Sequence, residues 1–453
     1  MNMNIRVEYL AVLVFIFLPF NVYGFSEDVL IIFSGEEVGN LEPCGCYEGQ
    51  IGGISRRYTF IDLFRKQRKV VLSVSLGDLP KNNGRQEEIK MEILCRAIGG
   101  MDYILHNLGE KDIEIGPQII SYLSQTNRTV FLSTNVQITA PFPTKINQYV
   151  LKEYFSSGRP FKIAFLGILS KSLLSEYGVD YVNVRDPIKA LKPLIKQLQE
   201  KVNLIVLLSH ASIEESIEIA KSFPEIGLII TGHNIDEPKD SITYVNNIPI
   251  VSAGTGGKYI GIAKYSINNK TFERKSVELI PLDHKYKDSQ AMVSLLKEYQ
   301  QMLHDEDLLN KIPQVPLLND LTYTGNSTCG MCHKIVYDHW SNTKHGTSYN
   351  TLASKGYQYD PECIKCHTTG NGYISGFLNY EKNNNLINVG CESCHGAGSR
   401  HINCVTEPYG LTDESNCLVC HDSEHSPKFQ FKEYWEKIEH PEEVLKKIPN
   451  TLE

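Results

Sequence analysis

CESCHGAGSRH, residues 391–401, places two cysteines and two histidines within eleven residues. A bare Cys-x-x-Cys pair is ambiguous among zinc, a redox disulfide and iron–sulfur ligation. Here the unit recurs four times: CGMCH (329–333), CIKCH (363–367), CESCH (391–395) and CLVCH (417–421). A histidine follows the second cysteine in every copy, although only 14 of the 453 residues are histidine. Zinc needs no histidine at that position, and eight thiolates would pair into two zinc sites. Covalent haem needs the whole pattern: two thiols for the two vinyl groups and an adjacent imidazole for the iron. The expectation is four haem c groups, attached through Cys329, Cys332, His333; Cys363, Cys366, His367; Cys391, Cys394, His395; and Cys417, Cys420, His421.

Nine of the twelve cysteines lie after residue 328, which suits a cofactor-bearing segment better than a general disulfide framework. The net charge of −8 and the lack of a long basic run speak against nucleic acid as a partner. At the amino terminus, Arg6, the apolar run YLAVLVFIFLPF and the small Gly24 before Phe25 read as a secretory signal over 1–24. The protein is therefore expected to be periplasmic or otherwise exported, and membrane-attached only if that signal is uncleaved. Haem c attachment outside the cytoplasm agrees with export.

From residue 28 to about 282, apolar strand candidates alternate with amphipathic stretches. The strands are 29–34, 70–75, 161–169, 204–209, 227–231 and 248–253; the helical stretches include 86–98 and 186–202. Such alternation predicts an α/β domain with a layered sheet. A polar helix is expected over 287–312, followed by a linker at PQVP (313–316). Beyond Tyr323 large aliphatic residues become sparse, so this part needs a staple in place of an ordinary core. The expected organisation is a signal at 1–24, an α/β domain at 25–285, a helical linker at 286–322 and a haem domain at 323–453.

Five further histidines, His339, His345, His401, His425 and His440, are available for the sixth iron positions. CGMCHKIVYDHWSNTKHG, CIKCHTTG, VGCESCHGAGSRH and CLVCHDSEHSPKFQFKEYW resemble the tetrahaem cytochrome c-554 family over about 323–440. The resemblance implies closely paired haems in a mostly helical, loop-rich shell. It favours His345 and His401 as distal ligands, with His425 or His440 next. From residue 323 onward 16 acidic residues face 11 basic ones, which points to a basic docking surface on a redox partner protein.

In the front region Glu36, Asp78, Glu110, His210 and His233 each follow or end a strand candidate. Ligands of open α/β sheets bind at the carboxyl ends of strands. GNLEPCGC…IGGISRR, SLGD, LGEKD, LLSHAS, ITGHN and IVSAGTGGKYIG resemble the calcineurin-like metallophosphatases, in particular the 5′-nucleotidase branch, over about 27–280. The resemblance implies a metallophosphatase-like β-sandwich with flanking helices and a two-metal site. Glu36 and Val38 stand where the family offers Asp and His, Glu110 and Lys111 where it offers Asn and His, and Ile235 in place of a second histidine. One metal position has lost its imidazoles. The other keeps Asp78, His210 and His233, with Glu110 for asparagine, a set suited to one Mn, Zn or Fe ion.

Three readings follow: an exported multihaem electron carrier with a repurposed phosphatase fold, a metal-dependent phosphoester hydrolase with a redox tail, and a haem-based reductase or oxidase of a small nitrogen or sulfur compound. A disulfide is expected among Cys44, Cys46, Cys95 and Cys404, without an assigned pairing.

Overall fold

The structure is a computed structural model. It describes residues 27–43, 49–67, 70–156, 159–175, 179–233, 235–238, 241–268, 271–406, 409–410 and 412–440. The export segment expected at 1–24, and Cys44 and Cys46, lie outside these residues.

The run VLIIF at 29–33 shows how the front region is built. Successive side chains of a strand point to opposite faces. Val29, Ile31 and Phe33 pack inward with Val74, Phe165, Val206 and Ile230, while Leu30 and Ile32 face outward onto helices. A strand apolar on both faces must be covered on both, and this one is.

Two sheets sandwich the inner layer. One runs Thr271–Pro281, Tyr259–Asn268, Glu27–Glu36, Val70–Gly77, Tyr103–Asn107, Val130–Leu132, Ile146–Asn147. The other runs Thr243–Val245, Ile248–Val251, Leu228–Thr231, Leu204–His210, Arg159–Leu169, Tyr149–Ser156. Within them Glu27–Glu36, Val70–Gly77 and Tyr103–Asn107 are parallel, as are Arg159–Leu169, Leu204–His210 and Leu228–Thr231. Helices Ile54–Lys66, Arg85–Gly100 and Gln290–Asp305 cover the first sheet, and Pro187–Leu198 and Ile213–Ser222 the second. The result is a four-layered α/β sandwich. It places the carboxyl ends of both sets of parallel strands at one end of the domain.

Two expectations change. The helix expected over 287–312 spans Gln290–Asp305 and buries Met292, Leu295, Leu296, Tyr299 and Leu303 in the front core. Its apolar residues recur at helical spacing on one face, which makes it a packed element of the sandwich. Cys95 and Cys404 are both free thiols. Cys95 is fully buried among front-domain apolar residues, so it does not take part in the expected disulfide, and burial raises its pKa further.

From Asn326 the chain forms short helices, among them Asn326–Cys332, Lys334–Ser341, Ser348–Lys355, Pro361–His367 and Cys391–His395. Its buried apolar cluster is small: Leu309, Tyr349, Leu352, Ile364, Phe377 and Leu386. Hydrogen bonds bear much of the organisation. Among the described residues, no helix is long and apolar enough to cross a membrane.

Phe33 is fully buried between the sheets, with its ring against Gly261, where an added methyl would lie 2.0 Å from it. Phe33→Ala is expected to destabilise the protein by about 3–5 kcal/mol, read as a lower denaturation midpoint in far-UV circular dichroism.

Candidate functional site

The front site forms where four strands end. Glu36 closes Glu27–Glu36, Asp78 follows Val70–Gly77, His210 closes Leu204–His210, and His233 follows Leu228–Thr231. One ligand atom from each of these four residues lies within 4.8 Å of all the others. His210 Nε2 is 3.5 Å from Glu36 Oε1 and 3.5 Å from Asp78 Oδ2. Glu110 bonds the same nitrogen at 2.7 Å and stands 3.5 Å from His233 Nδ1.

Asp78 adopts a left-handed conformation, with φ 53°, which aspartate tolerates better than most residues. Asp112 holds it there. The Asp112 carboxylate accepts from the backbone N–H of Asp78 (2.8 Å), Leu79 (2.9 Å) and Gly109 (2.9 Å), and pairs with His106 Nε2 at 3.1 Å. One buried acid thus ties the loops that follow two neighbouring strands. Gly109 is required beside it: a methyl there would lie 2.0 Å from Asp78 Oδ1.

Burial is the largest influence on the Asp78 and Glu110 carboxyls. It pushes the Asp78 pKa up to about 7. In Glu110 the same burial is outweighed by the hydrogen bond from His210 and the charges of His210 and His233, and the pKa falls to about 2. Burial disfavours a charged His210, but Asp78 and Glu110 together raise its pKa well above the usual value. Glu36 Oε1 and Asp78 Oδ2 are buried without a hydrogen-bond donor of normal geometry. Two orphaned carboxylate oxygens facing two imidazoles suit a single divalent cation. Glu36, which the sequence reading placed with the position that lost its imidazoles, belongs to this cluster. Glu110 stands beside it as the partner of His210.

In the carboxyl-terminal region each Cys-x-x-Cys-His unit forms a helical turn. His333 N–H bonds Cys329 O, and His421 N–H bonds Cys417 O, both at 2.9 Å. Residues at i, i+3 and i+4 share a helix face, so both thiols and the imidazole project together. Cys329 lies beside Cys391, and Cys366 beside Cys420, which brings the first unit to the third and the second to the fourth.

Three of the four motif histidines face another imidazole. His333 and His401 have ring centroids 6.3 Å apart, His345 and His421 6.2 Å, and His395 and His440 6.2 Å. Iron bonded to one nitrogen of each ring at about 2 Å would set the centroids roughly 6 Å apart, so these gaps fit haem iron. His367 Nδ1 pairs with Ser348 O at 2.9 Å and His395 Nδ1 with Gly410 O at 2.7 Å. This arrangement leaves Nε2 as the metal-facing atom. Among the described residues His367 faces no imidazole at the spacing of the other three. His425 turns its Nδ1 onto Asp422, at 2.8 and 2.9 Å. His339 lies 6.2 Å from His440, with the rings nearly perpendicular.

Glu392, inside the third unit, carried no signal in the sequence. It is buried and accepts from the backbone N–H of Thr324, Gly325 and Gly398. Asn326 Oδ1 accepts from Cys391 N–H at 3.0 Å. These two side chains lock the first helix onto the third unit.

The profile of the family described as "Cytochrome c554 and c-prime" matches residues 328–396. Cytochrome c-554 of Nitrosomonas europaea is 31% identical over 97 residues, covering 18% of this chain and 41% of that protein. The front region is 24% identical to mouse 5′-nucleotidase over 241 residues, covering 49% of this chain and 42% of that protein. The chain thus spans about two fifths of each of these curated relatives. In the front part the fold is that of the calcineurin-like phosphoesterase YfkN of Bacillus subtilis. The TM-score is 0.53 at 17% identity, over 61% of this chain and 98% of that one.

Asp112→Ala would leave three buried N–H groups without their acceptor, at about 1–3 kcal/mol each. Hydrogen exchange is expected to speed up at the Asp78, Leu79 and Gly109 amides while the amides of Leu204–His210 keep their protection.

Proposed function

We propose that this chain is an exported, periplasmic multihaem cytochrome that carries electrons, with a phosphatase-type front domain reduced to a single metal position. The observation that carries this reading is the repeated imidazole pair: motif histidines His333, His421 and His395 face His401, His345 and His440 at near-constant separation. Bound haem supplies one-electron storage at its iron. The protein's cysteines would anchor the ring and its paired histidines would ligate the iron, while Ser348 O and Gly410 O orient the His367 and His395 imidazoles. Closed positions favour electron transfer over chemistry on a bound molecule.

The acidic balance of the haem region, carried at its far end by Asp413, Glu414, Asp422, Glu424, Glu433 and Glu436, suits a redox partner with a basic face. In the front domain Glu36, Asp78, His210 and His233 would hold one Mn, Zn or Fe ion. Two-metal hydrolysis requires a second set of ligands; Val38 and Ile235 occupy two of those places, and Lys111 stands where a histidine would stabilise the leaving group.

One observation favours a second reading for part of the molecule. His367 has no opposed imidazole among the described residues, so a haem on Cys363 and Cys366 would keep an open position for a small nitrogen or sulfur compound.

Elemental analysis of full-length protein matured with the haem-attachment machinery tests the proposal. Four iron atoms per chain are expected, with one further Mn, Zn or Fe that disappears in His210→Ala. Two zinc atoms without haem would overturn the cytochrome reading. Release of phosphate from a nucleotide at enzymatic rates would return the front domain to the hydrolases.

A further inference from the structure

The second Cys-x-x-Cys-His unit is gripped by the front domain. Asp360 caps the helix Pro361–His367, accepting from Glu362 N–H at 3.0 Å. Both of its oxygens also receive front-domain amides, from Gln86 Nε2 at 2.9 Å and Gln300 Nε2 at 3.0 Å. Next to it, Lys90 of the helix Arg85–Gly100 reaches Glu362 Oε1 at 2.6 Å and Glu87 Oε1 at 2.9 Å. The Lys90 side chain is only 5% exposed. Glu362 immediately precedes Cys363.

The grip continues toward the front metal cluster. Gly39, three residues beyond Glu36, is packed so closely that a methyl would lie 3.0 Å from Glu87 Oε2 and 3.3 Å from Lys90 Nζ. Glu42 accepts a hydrogen bond from the Tyr357 hydroxyl. The loop that carries Glu36 therefore abuts the segment that carries the second unit.

We propose that Lys90 is a positioning residue for the haem held by Cys363, Cys366 and His367, and that its buried ammonium raises that haem's reduction potential. This inference rests on the cytochrome reading. Lys90 faces two carboxylates at the junction, Glu87 on its own helix and Glu362 on the haem segment, and Asp360 stands two residues before Glu362. Charges act more strongly where water is excluded, and burial and local charge are among a protein's main levers on haem potential. With Lys90 in place, its positive charge offsets the carboxylates next to Cys363 and favours the reduced iron. Without it those carboxylates favour the oxidised iron. The front domain thereby sets the height of one step in an electron path.

The test is spectroelectrochemical titration of full-length, haem-loaded Lys90→Gln and Glu362→Gln proteins beside the wild type. Haem content is counted first by the pyridine haemochrome method. One component should move, the one missing from the Cys363→Ala/Cys366→Ala protein. It should move to lower potential in Lys90→Gln and to higher potential in Glu362→Gln. A purely structural pair would give shifts of the same sign in both variants, or none, and either result would overturn the proposal. If Lys90→Gln does not accumulate, the upward shift in Glu362→Gln decides alone: its presence supports the proposal and its absence overturns it. A wild type without haem would instead sink the cytochrome reading on which this rests, and the haem count separates that failure from the others.

Discussion

The carboxyl-terminal region has too little apolar surface to fold around a core of its own. Its buried cluster, built on Ile364, Phe377, Leu386 and three neighbours, leaves most of its short helices to be organised by other forces. Buried acids meeting backbone amides supply much of that order. Glu392 fastens the loop before the first unit to the third, and Asp360 fastens the second to the front domain. A haem in each imidazole gap would add what the sequence withholds, a large apolar group covalently bound at both cysteines. In this region bound cofactors would be part of the fold.

The front domain solves the opposite problem. Its sheets are apolar on both faces and hold themselves together without help, so the end of the sandwich is free to keep costly features. There Asp78 sits in a left-handed conformation and carboxylate oxygens are buried without a hydrogen-bond donor of normal geometry. Asp112 bears the strain by satisfying three amides at once. Val38 and Ile235 offer no metal-binding atom, while the strands that aim Glu36, Asp78, His210 and His233 at one another are intact. The two halves meet at this end. The loop past Asp78 brings Lys81 to Glu424 at 3.2 Å, and the loop past Glu36 brings Glu42 to Tyr357.

Much of this was legible in the sequence because it is periodic or repeated. The strand runs at 29–34, 70–75 and 204–209 appear as strands within a few residues of their expected ends. The four haem-type units announce themselves by recurrence. Strand Tyr149–Ser156 was not legible, since YVLKEYFS mixes polar and apolar residues on an edge that needs only one covered face. Nor were Asp112 and Glu392, because an acid that serves backbone amides leaves no complementary side chain to find. The pairing of His333 with His401 and of His421 with His345 depends on how distant short helices stack, which spacing alone does not specify. The lone acid Glu36 was undervalued for a related reason: its worth depends on His210 and His233 arriving from the other sheet.

Electron paramagnetic resonance of the oxidised, fully matured protein at low temperature most directly tests the central claim that opposed imidazoles hold haem iron. The account predicts low-spin signals from three six-coordinate haems and a high-spin signal from the fourth. A spectrum in which all four irons are high-spin would contradict it, because the three histidine pairs would then not be closing on the metal.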